Sequence, residues 1–426
     1  MSASERYLYP LILSLLVLFA VAGLVIDGPS EVLRELVMLQ VHPARLVNDF
    51  TVPGGSGAAV VNASLVALLG LGLVALLGIR LSGPTVAAVF TMFGFGLFGK
   101  TPLNVLPIIA GVYLAARIAR REFREYTLIA LFGTAVAPLV TLIAVELSLP
   151  PVAGVLVAGL AGLAAGLLLP SVAMVMLRLH QGYSLYNMGL TAGFVALFAA
   201  AIVFGNGDTI APGRIWNGNP DLLLVLLVPA TAVVLIAVGL AAGRGAALRG
   251  FGQILKLPGR LPSDFMELAS VPAALVNMGV MGLIMWLYAF LVGADLNGPV
   301  LGGLFTIMGF AAFGKHPRNV LPVLAGIVIA ALLFGRALNA PGVILAALFG
   351  STLAPLTGAF GIPVGVVAGF VHLSIVLRTG SWHEGIDLYN NGFAGGLTAT
   401  LLVAIIEWYQ SNRSGPWDRP GAKEQK

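Results

Sequence analysis

The chain has 426 residues, of which 58% are hydrophobic and only 10% charged. Soluble domains carry about a quarter charged residues, so a soluble globular fold is excluded. The net charge of +5 sits mostly in a few short loops, a pattern that suits membrane orientation rather than nucleic acid, and the absence of cysteine removes disulfides, thiolate metal sites and cysteine nucleophiles.

Apolar segments recur from end to end, many of them long enough to cross the ~30 Å hydrocarbon layer. The first half holds seven, near 9–26, 57–79, 84–98, 102–118, 127–147, 151–177 and 185–204. The second repeats them near 221–243, 270–293, 299–313, 317–335, 342–358, 362–377 and 388–407. No small-residue cleavage site follows the first segment, so it reads as a retained span rather than a signal peptide. Between the first and second segments of each half, residues 30–50 and 246–265 mix apolar and charged residues at helical spacing, and are expected to lie along the interface. The third and fourth segments are short: about 15 residues reach only ~22 Å, which predicts broken or re-entrant helices. The fold class expected is an all-α integral membrane protein, each half carrying about five full spans plus one short pair. Domain bounds follow at 1–210, 211–410 and a polar tail, 411–426.

The two halves are copies of one unit. Phe98-Gly-Lys-Thr-Pro-Leu-Asn-Val-Leu-Pro107 returns 215 residues later as Phe313-Gly-Lys-His-Pro-Arg-Asn-Val-Leu-Pro322. Arg45 and Asp49 match Arg260 and Asp264 at the same offset, and Asn62 matches Asn277. Leu185-Tyr-Asn-Met-Gly189 matches Leu388-Tyr-Asn-Asn-Gly392 at an offset of 203. An odd number of full spans per unit predicts that the second copy is upside down. Loop charge agrees: Arg117, Arg120, Arg121 and Arg124 answer to Arg336 alone, while Arg244, Arg249, Lys256 and Arg260 answer to a first-half loop where Arg34 and Arg45 are offset by acids. By the positive-inside rule the termini are cytoplasmic in a multi-pass protein of the plasma membrane.

Five lysines occur in the chain, and Lys100 and Lys315 occupy matching places where two apolar segments meet. An ammonium at such a site either faces a cavity on a solute pathway or snorkels to headgroups. His316 and Arg318 make the second copy more cationic than the first. Pro102, Pro107, Pro317 and Pro322 break the helices and free carbonyls, and Asn104 and Asn319 between them serve as caps or solute contacts. Tyr186, Asn187, Tyr389 and Asn390 offer neutral donors and acceptors along a pore, or anchor helix ends at the interface. Asn62 and Asn277 suit interhelical hydrogen bonds, and His180 and His383 read as ordinary loop histidines. Acids are nearly absent from the spans: Glu146 and Glu407 lie near ends, and Asp208, Asp221 and Asp295 lie in loops. That pattern speaks against a buried-carboxylate proton relay. No metal-spaced cluster, Walker loop or nucleophile elbow occurs, so neither a cofactor nor an enzymatic activity is expected.

The paired FGKxPxNVLP and LYNxG motifs resemble an uncharacterised family of prokaryotic polytopic membrane proteins with a tandem domain of unknown function. A looser architectural likeness is to urea transporters, which have two inverted halves, each with a re-entrant element. The expectation is a transporter or channel for a small polar or anionic solute, passing between the halves. Its partners are the lipid bilayer and that solute, with no nucleic acid, and a homo-oligomer is left open. The competing expectations are a membrane enzyme for a lipid-linked or phosphorylated substrate, and a scaffold subunit.

Overall fold

A computed structural model describes residues 5–207 and 213–413; Asp208 and the tail from 414 onward, with Arg419, Lys423 and Lys426, lie outside the described residues. The first half builds α1 (Glu5–Asp27), α2 (Pro29–Gln40), α3 (Gly55–Leu76), α4 (Gly83–Gly96), α5 (Pro102–Ile118), α6 (Thr127–Gly133), α7 (Ala137–Thr141), α8 (Pro151–His180) and α9 (Asn187–Val203). The second builds α10 (Leu222–Ile254), α11 (Phe265–Leu268), α12 (Val271–Leu291), α13 (Gly298–Phe310), α14 (Pro317–Leu333), α15 (Pro341–Phe349), α16 (Ala354–Phe360), α17 (Ile362–Trp382) and α18 (Asn390–Arg413). Among the described residues, nine helical stretches are long and apolar enough to cross a membrane, and α4, α5, α9, α13 and α14 are shorter apolar helices. The protein is a helical membrane protein.

The short helices α4 and α13 form the centre of the fold, buried along their whole length but for Pro84. They run antiparallel, and a contact between two residues is repeated between their two counterparts. Gly94 meets Gly302, Ala87 meets Gly309, Gly83 meets Phe313 and Leu97 meets Gly298, while the rings of the equivalent residues Phe90 and Phe305 lie 6.2 Å apart at the midpoint. A Cβ on Gly94 would stand 2.7 Å from the Gly302 carbonyl oxygen, so glycine is what permits the crossing. A second crossing joins the starts of α9 and α18, where a Cβ on Gly189 would meet the Gly392 Cα at 2.7 Å.

The loops that follow α2 and α10 each reach into the opposite half. The backbone N–H of Leu261 donates to the Gly182 carbonyl at 3.1 Å, and that of Leu46 to the Gly385 carbonyl at 2.9 Å. Arg260 Nε donates to the Gln181 carbonyl at 2.9 Å, and Arg45 Nη1 to the Glu384 carbonyl at 3.3 Å. Each pair is the other's sequence counterpart. The halves are thus held by matching contacts in duplicate.

Two expectations need correction. The apolar segments at 127–147 and 342–358 are not continuous α-helices: tight turns at 134–136 and 350–353 divide them. Pro138 and Pro355 follow these turns and lack the N–H that would continue the ladder. The carbonyls exposed there are used, since Ala135 accepts the N–H of Leu388 at 3.1 Å and Thr352 accepts that of Leu185 at 3.0 Å. Broken helix at depth is tolerated where another part of the protein satisfies it. The interface segment of the second half is also not separate: residues 246–254 continue α10 beyond a kink at Arg244, whose φ is 49°. In the first half residues 29–40 form the distinct helix α2.

Candidate functional site

The FGKxP turn is built by asparagines. Asn62 of α3 donates to the carbonyls of Gly96 and Lys100 at 2.7 and 2.8 Å, and Asn277 of α12 donates to those of Ala311 and Lys315, both at 2.7 Å. Asn104 accepts the N–H of Thr101 at 2.8 Å and donates to the Gly99 carbonyl; Asn319 accepts the N–H of His316 and donates to the Gly314 carbonyl, both at 2.9 Å. Each is a reciprocal cap on the helix that starts at Pro102 or Pro317. The expectation that Pro107 and Pro322 break the helices is corrected: α5 and α14 run through them, and only Pro102 and Pro317 mark a helix boundary.

These turns bury the two lysines completely, each at 0% exposure, so neither ammonium snorkels to the surface. Lys315 Nζ donates to the Tyr186 hydroxyl of the other half and to Ser351 Oγ at 2.7 Å. It also stands 4.3 Å from the Tyr186 ring centroid and 5.1 Å from that of Phe310, a cation–π arrangement. Lys100 Nζ is 5.1 Å from the Phe95 centroid but has no hydrogen-bond partner among the described residues. Thr134 stands where the other half has Ser351; both hydroxyls donate to a carbonyl three residues back, of Leu131 and Leu348, each at 2.6 Å, and Ser351 Oγ also accepts from Lys315.

Tyr186 and Tyr389 meet at the centre with ring centroids 5.0 Å apart. Phe310 packs on Tyr186 at 4.5 Å and Phe95 on Tyr389 at 4.6 Å, so an aromatic layer separates the two lysine sites. An open cleft of about 560 Å³ between the halves reaches this layer from one side, bounded by Phe132 and Met188 of the first half and by Pro262 and Phe310 of the second. Exposed Arg178 lies on its lining, and Tyr186 and Tyr389 belong to it too.

The equivalent face on the other side is strapped. Ile215, in the segment between the repeats, pairs with Val47 and Asp49 through two hydrogen bonds of 3.1 Å, just where the counterparts Pro262 and Ser263 line the open cleft. Asn217 bonds Thr51 at 3.1 Å and Asn297 holds the Asn217 carbonyl at 3.0 Å. Beneath the strap, buried Arg45 forms a two-toothed ion pair with Glu146, with contacts of 3.0 and 2.7 Å to one oxygen.

The remaining sequence candidates fall elsewhere. Arg318 is exposed and outside the lysine sites. His316 is buried, with Nε2 at 2.9 Å from the Leu257 carbonyl. Asn187 and Asn390 are bound by His180 and His383 at 3.0 and 3.1 Å. Because the N–H groups of Ser184 and Asp387 each point at the histidine Nδ1, Nε2 carries the proton and the asparagine oxygen accepts. The histidines are therefore buried organisers of the Tyr-Asn turns rather than loose loop residues.

One residue escaped sequence reading altogether. Asp387, two positions before Tyr389, is 0% exposed. Its Oδ1 accepts the Tyr389 N–H at 2.8 Å, while Oδ2 has no partner among the described residues. Its turn packs on that of Lys100, where a Cβ on Gly99 would stand 2.6 Å from Leu388 Cδ2. Acids are nearly absent from the spans as expected, but this turn before α18 brings a carboxylate into the interior all the same. The signal available was the alignment itself, in which Asp387 replaces Ser184.

Neither a curated protein nor a solved structure matches the chain. A family model described as "Protein of unknown function (DUF1576)" matches twice, at residues 28–204 and 244–408. One model recurring over most of the chain accounts for the duplicated contacts around Lys100 and Lys315, and the chain belongs to the DUF1576 family.

Proposed function

We propose that the protein is a transporter or channel for a small polar or anionic solute, built as an inverted-topology repeat and without catalytic chemistry of its own. The observation that carries this reading is Lys315: a fully buried ammonium that bonds Tyr186 of the opposite half, on the tyrosine where an open cleft between the halves ends. Burying a charge is costly unless something uses it. The antiparallel packing of the equivalent helices α4 and α13 supports the inversion, as does the opposite basic bias of equivalent loops. On that reading the termini and the cleft mouth near Arg178 and Arg260 face the cytoplasm of a plasma-membrane protein, and the strap over Val47–Asp49 closes the outer face. Lys100, Tyr186, Tyr389 and Lys315 lie along the path, with Asn104, Asn319, Asn187 and Asn390 holding its turns in shape. The likeness to urea transporters enters as architecture alone.

The test is counterflow in liposomes with labelled phosphate, sulfate, nitrate and urea, for wild type and Lys315→Ala. Exchange of at least one probe, reduced in the variant, is expected. Unchanged flux of every accepted probe would remove Lys315 from the mechanism; absence of exchange would sink the transport reading.

A further inference from the structure

The two lysine sites are equivalent in backbone and unequal in chemistry. Around Lys315 the fold supplies two hydroxyl acceptors, from Tyr186 and Ser351, and the position matching Asp387 is Ser184, bound to Thr352 Oγ1 at 3.1 Å. Around Lys100 it supplies a carboxylate instead. Asp387 and Lys100 are both fully buried and each leaves one polar atom without a hydrogen bond. Their turns pack on each other, since a Cβ on Gly99 would stand 2.6 Å from Leu388 Cδ2, and the Phe95 ring, 5.1 Å from Lys100 Nζ, lies 4.6 Å from the Tyr389 ring.

A buried ion pair is stable only when its geometry offsets the loss of water from both ions. A pair held out of hydrogen-bond contact lacks that compensation, and the simplest remedy is a proton on the carboxylate. Sodium is a poorer occupant, because the facing ammonium repels it and one carboxylate oxygen is already bound to an N–H.

Resting on the transport reading, we infer that Asp387, set against Lys100, is a proton-binding site that couples solute movement to the proton gradient. The carboxylate takes one proton from the aqueous phase on one side, becoming the acid while Lys100 keeps its ammonium. It returns that proton as the carboxylate reforms facing the other side. No bond other than O–H forms or breaks.

The titratable neighbours are few. Tyr389 follows Asp387 and approaches Thr91 of α4 at 3.4 Å. Tyr186 packs against Tyr389 at a tilt of 56° and accepts from Lys315. His383 receives the Asp387 N–H at Nδ1, and His180 does the same for Ser184. His372 of α17 binds Asn391 at 3.1 Å. Arg45, paired with Glu146, reaches the same loop at the Glu384 carbonyl. The elements contributing α3, α6 and α15 present Asn62, Thr134 and Ser351, which do not titrate in this range. Among these groups Asp387 is the one carboxylate that faces Lys100.

Two measurements decide the matter. Infrared difference spectra between acidic and alkaline buffer, on protein in lipid nanodiscs, should contain a protonated-carboxyl C=O band that is lost in Asp387→Asn and shifted in its pH midpoint in Lys100→Met. Identical spectra for wild type and Asp387→Asn would overturn the proposal. In liposomes with an entrapped pH dye, whichever of phosphate, sulfate, nitrate or urea shows counterflow should also move lumenal pH, and Asp387→Asn should keep counterflow while losing the pH signal. Counterflow without any pH change in wild type would overturn the coupling and leave transport standing. No counterflow with any probe would overturn the transport reading and the coupling together.

Discussion

Asp264 accepts the backbone N–H of Gly83 at 3.0 Å, so a carboxylate of the second half caps the first turn of α4 in the first half. Its counterpart Asp49 does the same for Gly298 at the start of α13. Each central helix begins on an acid supplied by the other copy, at the end where the helix dipole is positive.

Replacing Asp264 by Ala should therefore destabilise the protein by about 1 kcal/mol, in the usual range for a lost cap. Asp49→Ala should cost more, because Asp49 also holds Thr51 and the N–H of Asn217. Thermal unfolding in a mild detergent would show this order; equal and negligible shifts would contradict it.

The Gly94–Gly302 crossing leaves no room for a methyl group. Gly94→Ala and Gly302→Ala should each cost about 1–3 kcal/mol, the range for overpacking. Gly72, inside α3 with open space where a Cβ would stand, is the control, and Gly72→Ala should not lower the unfolding midpoint.

Because the chain has no cysteine, single-cysteine variants report accessibility directly. Ser263→Cys, in the open cleft, should react with a membrane-impermeant maleimide in inside-out vesicles, whereas Asn48→Cys, under the strap, should not react from either side. Arg121→Cys and Arg336→Cys, in equivalent loops, should label from opposite faces. Labelling of both loops from one face would rule out the inverted arrangement.

Glu146 neutralises Arg45, which is only 1% exposed. Removing one partner of a buried pair typically costs about 3–5 kcal/mol, so Glu146→Ala should loosen the strapped face. Raised maleimide reaction of Asn48→Cys in the Glu146→Ala background is the expected readout.

Tyr186→Phe keeps the ring beneath Lys315 and removes one hydroxyl acceptor, which should destabilise by about 1–3 kcal/mol as a buried donor loses its partner. Combining it with Lys315→Met should cost less than the two single changes added, since they share one interaction. Strict additivity in unfolding free energy would mean the contact contributes nothing.

The sequence by itself determined the properties that depend on local composition and on duplication. Segment lengths and hydropathy specified a helical membrane protein, and FGKxPxNVLP located the turns that bury Lys100 and Lys315. Prolines at 102 and 317 marked helix starts because a missing N–H acts on its own turn, whatever lies nearby. Tertiary structure decided everything that depends on contact across the halves. Whether Lys100 reached headgroups or the interior, which tyrosine met Lys315, and that Asp387 faced Lys100 all depend on residues far apart in the chain. Asp387 passed unnoticed in the sequence because its neighbours offered no periodic signal; its burial goes with α18 starting at the crossing with α9. The unequal chemistry of two equal motifs likewise shows at single positions, Ser351 bonded to Lys315 and Asp387 in place of Ser184, whose meaning appears only in the fold.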